Sequence, residues 1–212
     1  MLDPHMIMST LSKHRPVFHS EADFQHAFAW QLHHHFPDAA IRLERPLRSG
    51  LGVLHVDIVA DIVGRLSVLE LKYKTRALSV QSSSEEFVLQ DHGAQPLGRY
   101  DFLKDVARLE SVAVALPGTE AWAIILTNDS SYWSPPRGLE DTSAAFSLGE
   151  GRRVTGNLEW SARASAGTKK KREDAIALAN QYALSWSDYS NIGGRSYSQF
   201  RYLALEVPAL AA

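Results

Sequence analysis

The chain contains no cysteine. That excludes disulfides, a thiol nucleophile and thiolate zinc sites, and it fits a reducing compartment. Long apolar runs are missing too: no stretch approaches the roughly 20 residues a membrane helix needs. The first residues do not follow the charged-then-apolar pattern of a signal peptide. The expectation is a cytoplasmic protein with no membrane partner. Charge of one sign is also scarce, with 22 Lys and Arg against 24 Asp and Glu for a net charge of −2. A uniformly basic coat is therefore excluded, and any polyanion must be met by a local patch. No P-loop, GxGxxG fingerprint or GxSxG nucleophile elbow occurs, so dinucleotide enzymes and serine hydrolases lack their motifs. No internal repeat occurs either. What is present is ordinary for a globular protein, 212 residues with 45% hydrophobic and 22% charged. Such a chain can bury a core without disulfides or a structural metal, and it reads as one domain over 1–212. His5-Met6 is a dipeptide that a common cloning site encodes, so residues 1–6 are expected to be vector-derived.

Hydrophobic periodicity divides the chain. Ser20 to Asp23 reads as a capping box, and Phe24, Phe28, Leu32 and Phe36 recur every fourth residue, which predicts a helix over 20–36. Pro37-Asp38 stops it. Ala40 to Leu47 alternates as an edge or half-exposed strand. Next, Leu54, Val56, Ile58, Ala60 and Ile62 share one parity while His55, Asp57, Val59 and Asp61 share the other. After a turn at Gly64, Leu66 to Tyr73 repeats the pattern, with Leu69, Leu71 and Tyr73 opposite Val68, Glu70 and Lys72. Residues 74–97 show no period and read as a long mobile loop over the substrate path. A helix is expected from Gly98 to about Ala115, and a fully covered strand over Ala121 to Thr127. Residues 128–172 are rich in Gly, Ser and Pro, with a strand at Asn157 to Ser161. A helix from Arg172 to about Trp186 and a strand from Gln199 to Val207 follow.

One constellation carries chemistry: Asp57, then thirteen residues on, Glu70-Leu71-Lys72. Residues i and i+2 of a strand share a face, so Glu70 and Lys72 stand about 7 Å apart, and the hairpin can bring Asp57 beside them. Hard carboxylate oxygens suit Mg²⁺, with Mn²⁺ as an alternative. A neighbouring lysine can orient or deprotonate a metal-bound water. The competing reading is a cross-strand ion pair on an exposed sheet face. Against it, this is the only E-x-K or D-x-K in the chain, and it sits on an otherwise apolar strand.

The motif and the element order from Ser20 to Thr127 resemble the PD-(D/E)XK, or restriction-endonuclease-like, nuclease superfamily. The resemblance implies an α/β fold with an αβββαβ core, a mixed central sheet flanked by helices, and C-terminal additions. It makes Asp57 and Glu70 metal ligands, the Leu71 carbonyl a third ligand, and Lys72 the water-activating or charge-stabilising group. Val56 stands where the namesake proline would be. Many members place a further acid on the first helix, and Glu21 fits that position; complementarity to a helix N-terminus explains it equally well. The implied partner is nucleic acid, DNA ahead of RNA, with a homodimer or a protein partner left open. Lys74, Arg76, Lys104 and the run Lys169, Lys170, Lys171 and Arg172 are the candidate phosphate contacts, although a charge run is commonly solvated surface. His33-His34-His35 cannot converge on one ion, because consecutive helical residues point about 100° apart. Two other readings are a nucleic-acid-binding or protein-interaction module on the same fold and a hydrolase of some other phosphate ester.

Overall fold

The computed structural model describes residues 2–135 and 141–208. Its centre is a mixed six-stranded sheet in the order β1-β2-β3-β6-β10-β9. The strands are β1 (Ala40–Ser49), β2 (Gly52–Ile62), β3 (Arg65–Lys74), β6 (Glu120–Thr127), β9 (Trp186–Asn191) and β10 (Gln199–Val207). Between β3 and β6 come β4 (Leu78–Ser82), β5 (Glu85–Leu89) and helix α3 (Gln95–Ala115). Helices α1 (Pro4–His14) and α2 (Glu21–His35) precede the sheet, and a separate pair, β7 (Arg153–Leu158) and β8 (Ile176–Ala183), follows β6. The protein is thus α/β, with three helices among the described residues. No helix is long and apolar enough to cross a membrane.

Two apolar layers cover the sheet, as a sheet with both faces buried requires. On one face α1, α2 and the β4–β5 hairpin pack over Ile58, Ala60, Leu69, Leu71 and Ile124. On the other, α3 and the β7–β8 pair pack over Val59, Val68, Ala123 and Ile125. The expected capping of α2 is present, with Ser20 Oγ accepting from Asp23 N at 3.1 Å, and Phe24, Phe28 and Leu32 are buried. Helix α1 is built into the fold: Leu2, Ile7 and Met8 are buried, and Leu2 N donates to Glu120 Oε2 at 3.0 Å. At the sheet edge, β1 is mostly exposed and carries Arg42, Arg45, Pro46 and Arg48, features that discourage edge-to-edge pairing.

Three expectations need correction. First, Val56 does not share a face with Ile58: Val56 packs on the α3 side and Ile58 on the α2 side. The β1–β2 ladder skips the pair Glu44 and Asp57, and Glu44 sits at a φ of 49°, a left-handed distortion that lets the face flip. Second, residues 74–97 are not one long irregular loop. They form the β4–β5 hairpin with Ser83 at a φ of 56° in its turn, and they bury Leu78, Phe87 and Leu89 against the α2-side core. Each strand has only two or three alternating apolar positions, too few to register as a period. Third, residues 172–186 are not helical. Ile176, Leu178 and Tyr182 alternate inward along β8, with exposed Ala177 and Ala179 between them. The alanines suggested a helix, but burial against α3 and the Glu110 carboxylate, which accepts from Ala179 N and Asn180 N at 2.9 Å each, selects the strand. The early strand of this region runs over Arg153–Leu158 rather than Asn157 to Ser161.

Candidate active site

β2 and β3 are hydrogen-bonded only from Ile62↔Arg65 to Ile58↔Leu69. Beyond that point β2 leaves, while β3 stays paired with β6 as far as Lys74↔Thr127. Every second N–H of β3 on the abandoned edge would be orphaned, which costs about 1–3 kcal/mol when buried. Each is instead caught by a side chain. Leu71 N donates to Asp57 Oδ2 at 2.6 Å, Tyr73 N to Glu21 Oε2 at 2.8 Å and Thr75 N to His92 Nδ1 at 3.0 Å. Two of the three acids singled out in the sequence therefore meet the E-x-K strand where its partner departs. The Leu71 side chain is fully buried. Its carbonyl shares the direction of its N–H, as in any strand, and faces the same opening.

Glu70 and Lys72 point to the α3 side, as strand parity requires. Glu70 is 3% exposed. Two residues of α3, Asp105 and Arg108, close over them. Lys72 Nζ lies 2.9 Å from Asp105 Oδ2, Arg108 Nη1 lies 2.7 Å from Asp105 Oδ1, and Arg108 Nη2 stands 3.3 Å from Glu70 Oε1. The N–H groups of Nη2 favour the His55 carbonyl, at 2.7 Å, and Glu70 Oε1 receives no hydrogen bond. Neither Asp105 nor Arg108 is among the site residues expected from the sequence, where Arg108 reads only as part of the polar face of the helix. Asp101, Asp105 and Arg108, at i, i+4 and i+7, mark one charged helix face that could have shown them.

The electrostatics follow from packing these charges away from water. Burial pushes the Glu70 carboxyl up to about 9, with Asp105 and Asp57 adding repulsion that Arg108 and Lys72 only partly offset. Asp57 is also raised, again first by burial, against the lowering effects of the Leu71 N–H and Lys72. For Lys72, burial works to lower the value, yet Asp105, Glu21 and Asp57 outweigh it and hold the ammonium charged. A lysine so held can donate hydrogen bonds and stabilise negative charge; it is a poor base.

An open cleft of about 420 Å³ lies against this group, and Glu21, Lys72, Lys74, Lys104, Asp105 and Arg108 line it. Glu21 thus stands on its wall, as expected of a first-helix acid, and Lys74 Nζ lies 3.4 Å from it. Asp57 and Glu70 sit behind Lys72 and Arg108 rather than on the cleft surface. Arg76 does not join this cleft but lines a neighbouring pocket. Arg172 pairs with Asp101, both contacts at 2.6 Å, which ties the basic run to α3 beside the cleft. Lys170 and Lys171 are exposed on a turn, with Lys169 half-buried.

The resemblance implies a divalent cation. Among the described residues no group of three or more His, Cys, Asp and Glu side chains stands ready to hold one. The available donor set is smaller, two carboxylates and one carbonyl: Asp57, Glu70 and Leu71. Its chemistry nonetheless fits a hard cation, because Glu70 is buried, Asp57 is half-buried, both carboxyls are raised, and Glu70 Oε1 lacks a hydrogen-bond partner among the described residues. No protein-family model, curated protein or solved structure matches the chain.

Proposed function

We propose that this protein is a Mg²⁺-dependent nuclease of the restriction-endonuclease-like kind, hydrolysing phosphodiester bonds of nucleic acid, DNA ahead of RNA, in the cytoplasm. The observation that carries the reading is the split between β2 and β3, where a buried and a half-buried carboxylate, Glu70 and Asp57, stand behind an open cleft that Lys72, held charged, lines together with three other basic and three acidic residues. A helix, three antiparallel strands, a second helix and a strand parallel to β3 support the fold assignment.

In this reading Asp57, Glu70 and the Leu71 carbonyl would hold Mg²⁺ or Mn²⁺, which would supply Lewis-acid chemistry toward phosphate and water. Lys72, kept protonated by Asp105, donates to a phosphate oxygen as negative charge develops there. Asp105 and Arg108 are positioning residues that fix Lys72 and Glu70 through ion pairs. Glu21 secures Tyr73 N and holds Lys74 at the rim. Lys74, Lys104 and the exposed Lys170 and Lys171 supply phosphate contacts on a protein with little net charge to offer.

A second reading, a non-catalytic nucleic-acid-binding or protein-interaction module, draws on the same edge: Asp57 and Glu21 already serve strand N–H groups, and Lys72 is already paired. Incubation with plasmid DNA, linear single strands and RNA, in Mg²⁺, Mn²⁺ or EDTA, separates the two. The nuclease reading expects metal-dependent cleavage that EDTA stops. Binding without cleavage in either metal would favour the module.

A further inference from the structure

β3 and β6 form the one parallel pair among the described strands, and α3 starts beside their carboxyl ends. Ligands of α/β sheets gather at such ends. Here a pocket of about 740 Å³ opens between the first turn of α3, the turn after β6, Arg76 and Tyr197. The α3 N-terminus is uncapped: Ala94 makes no side-chain cap, and no acid lies in the first turn. By itself a helix end proves nothing, but Arg99, one turn in, adds an independent observation. It lines the pocket yet is 7% exposed, its Nε has no hydrogen-bond partner among the described residues, and its Nη2 reaches Ser143 Oγ at a long 3.5 Å. Ser131 Oγ, in the same wall, is buried without a partner as well.

Withdrawing a guanidinium from water is costly, and here the charges of Asp141 and Asp129 offset only part of it. Two acids share the pocket and offset part of the Arg99 charge; both oxygens of Asp129 and one of Asp141 already accept hydrogen bonds. Asp129 accepts from Gln95 Nε2 at 2.8 Å and from Ser131 N at 3.0 Å, and Asp141 accepts from Ser143 N at 2.8 Å and Ser143 Oγ at 2.6 Å. Among the described residues the open side-chain donors are thus Arg99 Nε and Ser131 Oγ; of the first turn of α3 only the Gln95 N–H is left, because Pro96 has none and Leu97 N and Gly98 N donate to the Ala94 carbonyl. Arg76 sits at the lip, stacked 5.2 Å over the Tyr197 ring and paired with Asp91 at 3.4 Å. Donors converging from several sides, one of them a planar fork, suit a phosphate group.

We infer that this pocket is a phosphate-binding subsite, in which Arg99, Ser131 and the N-terminus of α3 take a backbone phosphate of the strand whose scissile phosphodiester lies at Lys72. The inference rests on the nuclease reading, and the geometry gives it a route. Lys72, Lys74 and Arg76 follow one another along β3 and its exit. On α3, six residues separate Arg99 from Asp105, about 9 Å at 1.5 Å per residue. That span equals two to three steps of a duplex strand at roughly 3.4 Å each.

The test is done on the full chain in EDTA, so that binding is read without cleavage. Inorganic phosphate is titrated calorimetrically, and a short fluorescent single-stranded DNA by anisotropy, against the wild type, Arg99→Gln and Lys72→Ala. Arg99→Gln should weaken phosphate at this subsite by roughly tenfold or more and lower the salt slope of DNA binding by about one, whereas Lys72→Ala should retain the Arg99-dependent binding event. If Arg99→Gln does not fold by circular dichroism, Ser131→Ala carries the comparison and should weaken phosphate about threefold or more. Unchanged phosphate affinity in the folded variant overturns the subsite. Phosphate that binds through Arg99 but does not compete with DNA overturns its place on the nucleic-acid path. Metal-dependent cleavage that needs Lys72, together with Arg99→Gln at full DNA affinity, sinks the subsite and leaves the nuclease reading standing. Phosphate bound through Arg99 in a protein that cuts nothing keeps the pocket and removes the nuclease.

Discussion

The two halves of the β2–β3 hairpin are built on opposite principles. From Ile58 to Ile62, and Arg65 to Leu69, the strands are zipped by backbone hydrogen bonds and locked between two apolar layers. Past Asp57 and Glu70 they part, and side-chain carboxylates take over what strand pairing does elsewhere. The zipped half gains from every group it buries. In the split half, burial works against charge, and Glu70 ends up raised, short of hydrogen bonds and ringed by Asp57, Asp105, Lys72 and Arg108. Stability is concentrated in the first half; in the second, the Glu70 carboxyl resists charging because burial and neighbouring acids oppose it.

Mutations should separate the halves cleanly, and the largest effect falls at Lys72. Lys72→Ala removes the charge that meets developing phosphate negativity and should lower cleavage on the order of 10²- to 10⁴-fold. Steady-state assays on the preferred DNA substrate read this, and wild-type turnover would end the proposed mechanism. In the zipped half, Leu69→Ala empties a fully buried site and should cost about 2 to 5 kcal/mol in urea denaturation. The metal requirement of whatever activity remains should be unchanged.

Glu70→Gln should move stability the other way. A carboxyl raised in the folded state binds more protons folded than unfolded. Its penalty is therefore absent below the ordinary value near 4.5, grows as pH rises, and is complete above about 9. Removing that charge should stabilise the metal-free protein at pH 8 by about 1 to 3 kcal/mol and flatten the fall in stability with rising pH, while abolishing cleavage. Thermal melts from pH 5 to 9 in EDTA decide this; a destabilised variant at pH 8 would erase the contrast between the halves. The smallest stability effect belongs to Asp57→Asn, whose amide oxygen can still accept from Leu71 N. Its stability should stay within about 1 kcal/mol of wild type.

Much of this was legible in the chain because local rules and tertiary packing agree there. Ser20 caps α2 as its capping box promised, and the parity of Glu70 and Lys72 on an apolar strand placed both on one face, which α3 covers. The zipped half follows simple alternation. At Asp57 alternation fails: Glu44 in a left-handed conformation opposite it turns Val56 to the wrong core. No periodicity reports a conformation set by a neighbouring strand. Asp105 and Arg108 were hidden for a related reason, since on a helix with eleven buried residues their charged stripe reads as surface until Glu70 and Lys72 are placed beneath it. Beyond β6 the alanines between Ile176 and Tyr182 favoured a helix, and only the carboxylate of Glu110 and the apolar face of α3 explain why the segment is a strand.

The central claim is that the split end of the hairpin is a cation site. Calorimetric titration with Mn²⁺ tests it most directly, comparing the wild type with Lys72→Ala and Asp57→Asn. Binding that persists in Lys72→Ala but weakens at least about tenfold in Asp57→Asn, where a charged oxygen ligand is lost, is the predicted result. Mn²⁺ that fails to bind the wild type, or binds Asp57→Asn equally well, would contradict it.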